Sequence, residues 1–199
     1  MIEAKALKQL ADRQQTTMDN IAKEYFQHLF LSFLYKEKKS GRPDPMPKLK
    51  ETFAAVVERA RAELRPARLL IGGRSMGGRA ASMLAADGFA ADGLLLLAYP
   101  LHPTGKPEQL RDAHLPRIRM PVLCLNGTRD DMCTPKLMER ALTTVTTAWT
   151  MHWVEGADHM FHVLKRSGRT DAEVLDEIGR VSREWFDGLG LATAAVGPG

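Results

Sequence analysis

Short apolar runs alternate with amphipathic segments from Pro43 onward, and this alternation limits the chain to a small set of folds. Strand-like runs separated by helical segments are typical of the β-α units that build a parallel sheet. Residues 92–100 form a run that is apolar on both faces, as expected of a central strand in such a sheet. The sequence therefore predicts an α/β fold in which helices flank a mostly parallel sheet.

The boundaries of the expected elements follow from apolar periodicity and turn residues. The predicted strands are 28–35, 67–73, 92–100, 121–127 and 149–156, and the predicted helices are 46–64, 76–87, 135–144 and 170–189. Gly88 is a natural residue to end the second of these helices. Thr170 is expected to cap the last helix, with Glu173 completing a capping box.

Length and composition predict a single main domain. The chain has 199 residues, of which 44% are hydrophobic and 26% are charged, and this content suffices for one sizeable core. We expect an α/β domain over residues 29–188, an atypical helical segment before it, 1–28, and a flexible tail after it, 189–199.

We expect no membrane anchor, secretion signal or disulfide framework in this sequence. Its longest aliphatic run, Leu94 to Ala98, is far shorter than the roughly 18 apolar residues of a membrane helix. The charged N-terminus lacks the apolar core of a signal peptide. The two cysteines, Cys124 and Cys133, are expected to be reduced thiols. These features predict a cytoplasmic protein that does not contact a membrane.

The basic residues do not form a nucleic-acid-binding pattern. The formal net charge is +4, but the basic residues are scattered, apart from residues 35–42, which also contain Glu37. No RNA-binding aromatic signature or helix-turn-helix pattern accompanies them. We therefore expect a solvated basic loop there, and no nucleic-acid partner. A weak polyanion contact through this loop stays an alternative.

A serine between glycines stands at the junction of a predicted strand and a predicted helix. Gly73-Arg74-Ser75-Met76-Gly77 matches the G-x-S-x-G nucleophile elbow in the strand–turn–helix context that the motif requires. The rival interpretation, a phosphate-binding turn, fits less well because no lysine follows Gly78. The motif predicts that Ser75 is a nucleophile at a helix N-terminus, where developing negative charge is favoured.

A nucleophilic serine needs a base and an acid that orients the base. Asp130 or Asp131 follows one predicted strand, and His159 follows the last one, which gives the chain order Ser, Asp, His of the α/β-hydrolases. Asp130 is preferred because it ends a turn, whereas Asp131 is expected to cap or face solvent. His159 is preferred to His162, which lies beyond the loop.

Two further interpretations concern His152 and the group that contains His159 and His162. His152 lies within a predicted strand, where a histidine more often packs or faces solvent. Asp158, His159 and His162 could together suggest a metal site, but no further ligand accompanies them. We therefore expect neither a metal nor a cofactor.

The quoted motifs, together with "YPLHPTGKPEQLRDAHL" and "PVLCLNGTRDDMCTP", resemble the α/β-hydrolase superfamily. The resemblance is closer to its dienelactone-hydrolase-like branch, which includes the KANL3/Tex30-type proteins, and it extends from about Leu29 to Phe186. It implies a serine hydrolase that acts on a small ester-like or related acyl substrate. In that resemblance Ser75 is the nucleophile, His159 the base and then the acid, and Asp130 the orienting carboxylate.

The resemblance also implies where the substrate would bind. The Met76 N–H is the implied oxyanion donor. Residues 99–107 would border the active site, and His102 is a candidate substrate contact, as is Arg74 beside the serine.

The N-terminal part of the chain departs from the family pattern. Members of the branch carry an earlier strand that ends in a His-Gly-Ala-Gly-like loop and gives the second oxyanion donor, and residues 1–20 do not resemble it. Loss of one such donor costs about 10²–10³ in rate. The sequence thus predicts an atypical or truncated N-terminus, and two functions stay open: a serine hydrolase, and a weakly active or inactive binding module. It leaves the oligomeric state open.

Overall fold

The structure is a computed structural model, and it describes residues 45–194. The chain divides between Ala67 and Arg68 into two units, which are described separately. In the first unit the described residues form helix α1, Met46–Leu64, as predicted. The predicted strand 28–35 and the predicted helical segment 1–28 lie outside the described residues, so both stay predictions.

The second unit contains a parallel sheet of four strands in the order β1-β2-β3-β4. The strands are β1, Leu70–Arg74; β2, Gly93–Leu97; β3, Val122–Gly127; and β4, Trp149–Val154. The strands β2, β3 and β4 fall within predicted strands, and β1 overlaps the predicted strand 67–73 but ends one residue later, at Arg74. The mostly parallel α/β fold is therefore confirmed. Because all four strands run the same way, the loops that follow them meet at one edge of the sheet.

Three helices and two short 3₁₀ turns connect and flank these strands. The helices are α2, Met76–Ala86; α3, Pro135–Leu142; and α4, Asp171–Ala194; the turns are Leu115–Arg117 and Lys165–Ser167. The chain leaves α2 through Gly88 at φ +93, a conformation that favours glycine, as predicted. None of the helices within residues 45–194 is both long and apolar enough to cross a membrane.

The capping box at the start of α4 is present as predicted. The Thr170 N–H donates to Glu173 Oε2 at 2.7 Å, and the Glu173 N–H donates to Thr170 Oγ1 at 3.2 Å. The helix continues to Ala194, beyond its predicted end at Leu189, because alanine and leucine there sustain helical structure.

The helices cover both faces of the sheet. Gly78 of α2 faces Leu96, whereas Val174 and Ile178 of α4 belong to the core cluster that packs against Leu95 and Leu97. Successive residues of a strand point to opposite faces. All residues of β3 are buried, which identifies it as an interior strand. The loop that follows β3 therefore lies in the middle of the sheet edge at which the loops after the other strands meet.

Candidate active site

Ser75 occupies a sharp bend between β1 and α2. Its backbone has φ 51 and ψ −119, a combination that residues with a side chain rarely adopt. The Ser75 N–H donates to the Leu97 carbonyl at 2.8 Å and so extends the pairing of β1 with β2. A Cβ atom on Gly78 would lie 2.5 Å from the Gly73 carbonyl oxygen, so this position requires glycine. The bend and its glycines hold the serine at the edge of the sheet.

The three predicted catalytic side chains lie in hydrogen-bonding contact. Ser75 Oγ is 2.8 Å from His159 Nε2, and His159 Nδ1 is 2.9 Å from Asp130 Oδ2. An ionised carboxylate only accepts hydrogen bonds, so Nδ1 carries the proton and Nε2 accepts the serine hydroxyl. The Asp130 side chain is fully buried and the His159 ring is 17% exposed. This arrangement can transfer a proton from Ser75 to His159.

Asp130 is held by further donors that the sequence analysis missed. The Met132 N–H donates to Oδ1 at 2.8 Å, and Asn126 Nδ2 donates to Oδ2 at 3.1 Å. Asn126 is fully buried, and it also bonds both the N–H and the carbonyl of Tyr99. It thereby joins the end of β2 to the buried carboxylate. An asparagine in the otherwise apolar strand β3 is the sequence signal that could have identified it.

The loop that carries His159 is fixed by its own hydrogen bonds. Asp158 Oδ1 accepts the N–H groups of Met160 at 2.8 Å and His162 at 2.9 Å. Gly127 permits a close approach to this loop, since a Cβ there would lie 2.1 Å from the Ala157 carbonyl oxygen. The short distance between β3 and this loop brings His159 to Asp130.

The other histidines that the sequence analysis weighed have different partners. His152 Nε2 is 2.6 Å from Glu177 Oε1, and His162 Nδ1 is 2.6 Å from Asp171 Oδ2. The hydrogen bond to Asp171 raises the pKa of His162. Within residues 45–194 no three His, Cys, Asp or Glu side chains are grouped as metal ligands. Among the described residues, neither His152 nor His162 forms a hydrogen bond with Ser75.

Arg74 and Met76 flank the serine. An Arg74 guanidinium nitrogen donates to the His159 carbonyl at 3.0 Å and contacts the Met160 sulfur. Arg74 therefore links the bend to the loop of the base. Met76 is 39% exposed. Its N–H lies in the first turn of α2, where no helical carbonyl is available to accept it.

His102 lies beside the turn of Asp130. Its backbone N–H donates to the Met132 carbonyl at 3.1 Å, and its Nδ1 donates to the Pro103 carbonyl at 2.9 Å. Nε2 is therefore a hydrogen-bond acceptor, and no described residue donates to it. The residue is only 2% exposed. Its predicted contact with substrate stays a prediction.

A second serine–histidine pair lies inside the unit, and the sequence analysis did not anticipate it. Ser82 Oγ in α2 is 2.8 Å from His114 Nε2, and the Tyr99 hydroxyl is 3.5 Å from the same nitrogen. Ser82 is fully buried, and no described carboxylate bonds His114. Burial is the main cause that lowers the pKa of His114 to about 4, and burial also raises the pKa of Tyr99.

The chain matches the model of the alpha/beta hydrolase domain family over residues 3–187. It therefore belongs to that family. The match begins near the first residue, while the predicted truncation of the N-terminus concerns residues outside the described range and stays a prediction.

Solved structures share the fold. The monoacylglycerol lipase of Paleococcus ferrophilus matches with a TM-score of 0.54 and 16% identity over 70% of this chain and 76% of that one. A dienelactone hydrolase from Anabaena variabilis matches with a TM-score of 0.52 and 20% identity over 71% of this chain and 59% of that one. An alpha-beta serine hydrolase homologue from Coxiella burnetii matches with a TM-score of 0.52 and 20% identity over 63% of this chain and 57% of that one. The chain thus covers less than two thirds of the last two proteins.

Proposed function

We propose that this chain is a serine hydrolase that cleaves a small ester-like acyl substrate through an acyl-enzyme intermediate. The observation that carries the proposal is the 2.8 Å contact between Ser75 Oγ and His159 Nε2, with Asp130 hydrogen-bonded behind the ring. Membership of the alpha/beta hydrolase domain family supports it.

The proposed reaction proceeds in two halves. His159 Nε2 takes the hydroxyl proton as Ser75 Oγ attacks the acyl carbon, and the carbonyl oxygen becomes an oxyanion beside the Met76 N–H. The imidazolium then gives its proton to the leaving alkoxide, and the acyl group stays on Ser75. In the second half, His159 Nε2 takes a proton from water as the water oxygen attacks the acyl carbon. The bond between the acyl carbon and Ser75 Oγ then breaks, the imidazolium returns the proton to Oγ, and the acid leaves. Asp130 stays ionised and stabilises the imidazolium.

Substrate contacts and cellular setting belong to the same proposal. Arg74 has donors beyond the one that bonds the His159 carbonyl, and His102 offers an acceptor at Nε2, so both are candidate substrate contacts. The sequence resemblance favours the dienelactone-hydrolase-like, KANL3/Tex30-type branch and a small-molecule substrate. Composition favours a cytoplasmic location.

The binding-module alternative is less well supported. Backbone conformations as uncommon as that of Ser75 cost about 1–3 kcal/mol and persist where function requires them. A module without turnover does not require a serine held in this way against a base.

Hydrolysis of p-nitrophenyl acetate tests the proposal with a matched pair of variants. Ser75→Ala is expected to lower kcat by at least about 10³-fold, because it removes the nucleophile. Ser82→Ala removes a serine hydroxyl from the buried Ser82–His114 pair and is expected to keep the wild-type rate within about twofold. Equal rates in wild type and Ser75→Ala would contradict the proposal, and a folded wild type without turnover would favour the binding module.

A further inference from the structure

The histidine that serves as the proposed base lies at the tip of a short β-hairpin. Ala157 and Val163 form an antiparallel bridge at the start of this hairpin. Beyond the bridge, the Asp158 N–H donates to the His162 carbonyl at 3.0 Å. We call residues 157–163 the histidine hairpin. Because its two arms are joined by these contacts, the residues at the tip move together with the hairpin.

Phe161 has a backbone conformation that is uncommon for a bulky residue. Its φ is 64, and its N–H donates to the Asp158 carbonyl at 2.9 Å, which closes a loop of three residues, 159–161. The last residue of such a loop is left-handed, and glycine usually occupies it because a Cβ atom there crowds the following carbonyl oxygen. Glycine would therefore satisfy this backbone at a lower cost. A phenylalanine at this position indicates that its side chain has a role that glycine cannot fill.

Phe161 is part of the hydrophobic core. It is 5% exposed and belongs to the buried cluster that includes Val154 of β4 and both Val174 and Ile178 of α4. A buried phenylalanine removes a large apolar area from water, and this gain offsets the unfavourable φ. Phe161 stands two residues after the proposed base. Its side chain therefore anchors the tip of the histidine hairpin in the core.

A second contact joins the tip of the hairpin to the serine bend. An Arg74 guanidinium nitrogen donates to the His159 carbonyl at 3.0 Å, so the tip is attached both to the core and to this bend. The His159 ring lies between two partners, with Ser75 Oγ 2.8 Å from Nε2 and Asp130 Oδ2 2.9 Å from Nδ1. A displacement of the tip by about 1 Å would lengthen at least one of these hydrogen bonds beyond the usual range.

Uncommon backbone conformations occur in both loops that must meet. In the described part of the chain, Ser75 and Phe161 are two of the four non-glycine residues with a positive φ. Such conformations are found at functional sites, where the surrounding structure holds them in place. Ser75 is the proposed nucleophile, and Phe161 lies in the hairpin of the proposed base.

We propose that Phe161 is a positioning residue for hydrolysis. Its buried ring and left-handed backbone fix the histidine hairpin, so that His159 Nε2 stays within hydrogen-bonding distance of Ser75 Oγ. Phe161 acts through His159 and is not itself a catalytic residue. This inference rests on the proposed function, because it concerns the base of that reaction.

Hydrolysis of p-nitrophenyl acetate by Phe161→Gly tests the proposal. Glycine suits the left-handed backbone but removes the anchor, so kcat is expected to fall by about 30–100-fold while KM changes by less than about twofold. Ile178→Ala is the matched control, because it truncates a side chain of the same core cluster from α4. Its kcat is expected to stay within about twofold of the wild-type value when each protein is assayed well below its Tm.

Amide hydrogen exchange provides a readout that does not depend on turnover. Mass spectrometry of peptides that cover the histidine hairpin is expected to show exchange at least about tenfold faster in Phe161→Gly than in the wild type. The reason is that the hairpin opens locally more often when it has no anchor in the core. Ile178→Ala leaves the anchor in place, so exchange of the hairpin within about twofold of the wild-type rate is expected.

Phe161→Leu keeps the test decisive if the glycine variant does not fold. Leucine retains a smaller apolar anchor, so a kcat about three- to tenfold below that of the wild type and a faster exchange of the hairpin are expected. Ile178→Val trims the same cluster mildly and is its control, with a kcat close to the wild-type value.

The proposal is overturned if the folded Phe161 variants keep the wild-type kcat, or if exchange of the hairpin is unchanged in them. It is equally overturned if the Ile178 variants lose as much kcat as the Phe161 variants. Failure of the proposed function would be distinct: the wild type would not hydrolyse the ester, while the hairpin of Phe161→Gly would still exchange faster.

Discussion

Two serine–histidine pairs in this molecule have the same separation and different surroundings. Ser75 Oγ and Ser82 Oγ each lie 2.8 Å from the Nε2 atom of a histidine. Ser75 is half-buried at the edge of the sheet, whereas Ser82 is fully buried within a helix. The histidine of the first pair bonds the buried carboxylate of Asp130, whereas among residues 45–194 the side chain of the second histidine, His114, contacts the hydroxyls of Ser82 and Tyr99 and no carboxylate. A short oxygen–nitrogen distance is therefore not enough to define a nucleophile.

The difference arises from where each serine stands along the chain. Ser75 precedes the first turn of α2, so free N–H groups surround it, whereas the Ser82 hydroxyl bonds the carbonyl of its own helix at Arg79. His159 follows β4 and meets the loop of β3, because parallel strands end at one edge. Topology thus gives the first pair both a carboxylate and access to solvent.

The largest expected contrast is between the two histidines. His159→Ala is expected to lower kcat for p-nitrophenyl acetate by about 10⁴-fold or more, because it removes the proton acceptor of Ser75. His114→Ala is expected to change kcat by less than about threefold, while it lowers the free energy of unfolding by about 1–3 kcal/mol through lost buried hydrogen bonds. Comparable losses of kcat in the two folded variants would contradict the comparison.

Replacing the carboxylate is the next largest change. Asp130→Asn preserves the shape of the side chain, but its amide cannot hold Nδ1–H as a carboxylate does. A loss in kcat of about 10³–10⁴-fold with little change in KM is expected. Asp131→Asn is the matched control, because Asp131 is exposed and should give wild-type kinetics. Steady-state kinetics of both variants provide the check.

Asn126 tests whether positioning of the carboxylate matters as well as its charge. Asn126→Ala removes the donor to Asp130 Oδ2 and the bonds to the Tyr99 backbone, so misalignment should lower kcat by about 10²-fold. Cys124→Ala removes a contact to the opposite end of Asn126 and leaves its bond to Asp130, so near-normal kcat is expected. A purely structural role would lower stability in both variants and kcat in neither.

The smallest expected effect concerns the pH dependence of stability. Burial lowers the pKa of His114 to about 4, so between about pH 6.5 and pH 4 the unfolded chain binds a proton that the folded chain does not. The stabilising contribution is present above pH 6.5 and is lost as the pH falls. Urea denaturation should show a loss of about 2 kcal/mol in wild type that is absent from His114→Gln.

His162 provides a control of opposite sign for that experiment. Its hydrogen bond to Asp171 raises its pKa, so its contribution to stability is present at low pH and is lost as the pH rises. His162→Gln is therefore expected to lose more stability than the wild type on acidification. If His114→Gln and His162→Gln both lost more stability on acidification than the wild type, burial would not be holding His114 neutral.

The sequence was informative wherever the signal is local or follows from strand order. The elbow around Ser75 is a contiguous motif, and the positions of Asp130 and His159 follow from the rule that parallel strands end together. The capping box at Thr170 is likewise contained in four adjacent residues. These features need no knowledge of distant packing.

What sequence reasoning missed depends on which distant residues become neighbours. Asn126 bonds Tyr99 because β2 and β3 are adjacent, and Ser82 meets His114 because a loop folds onto α2. No spacing along the chain encodes either contact.

Mapping the adduct of a fluorophosphonate probe shows which of the two serines is the nucleophile. Trypsin cleaves after Arg74, Arg79 and Arg111, so it separates the two serines: Ser75 is released on the peptide Ser75–Met76–Gly77–Gly78–Arg79, and Ser82 on the peptide that begins at Ala80. The phosphonyl mass is expected on Ser75 alone in the folded protein, and no adduct is expected in His159→Ala. An adduct on Ser82, or none on folded wild type, would contradict the assignment of Ser75 as the nucleophile.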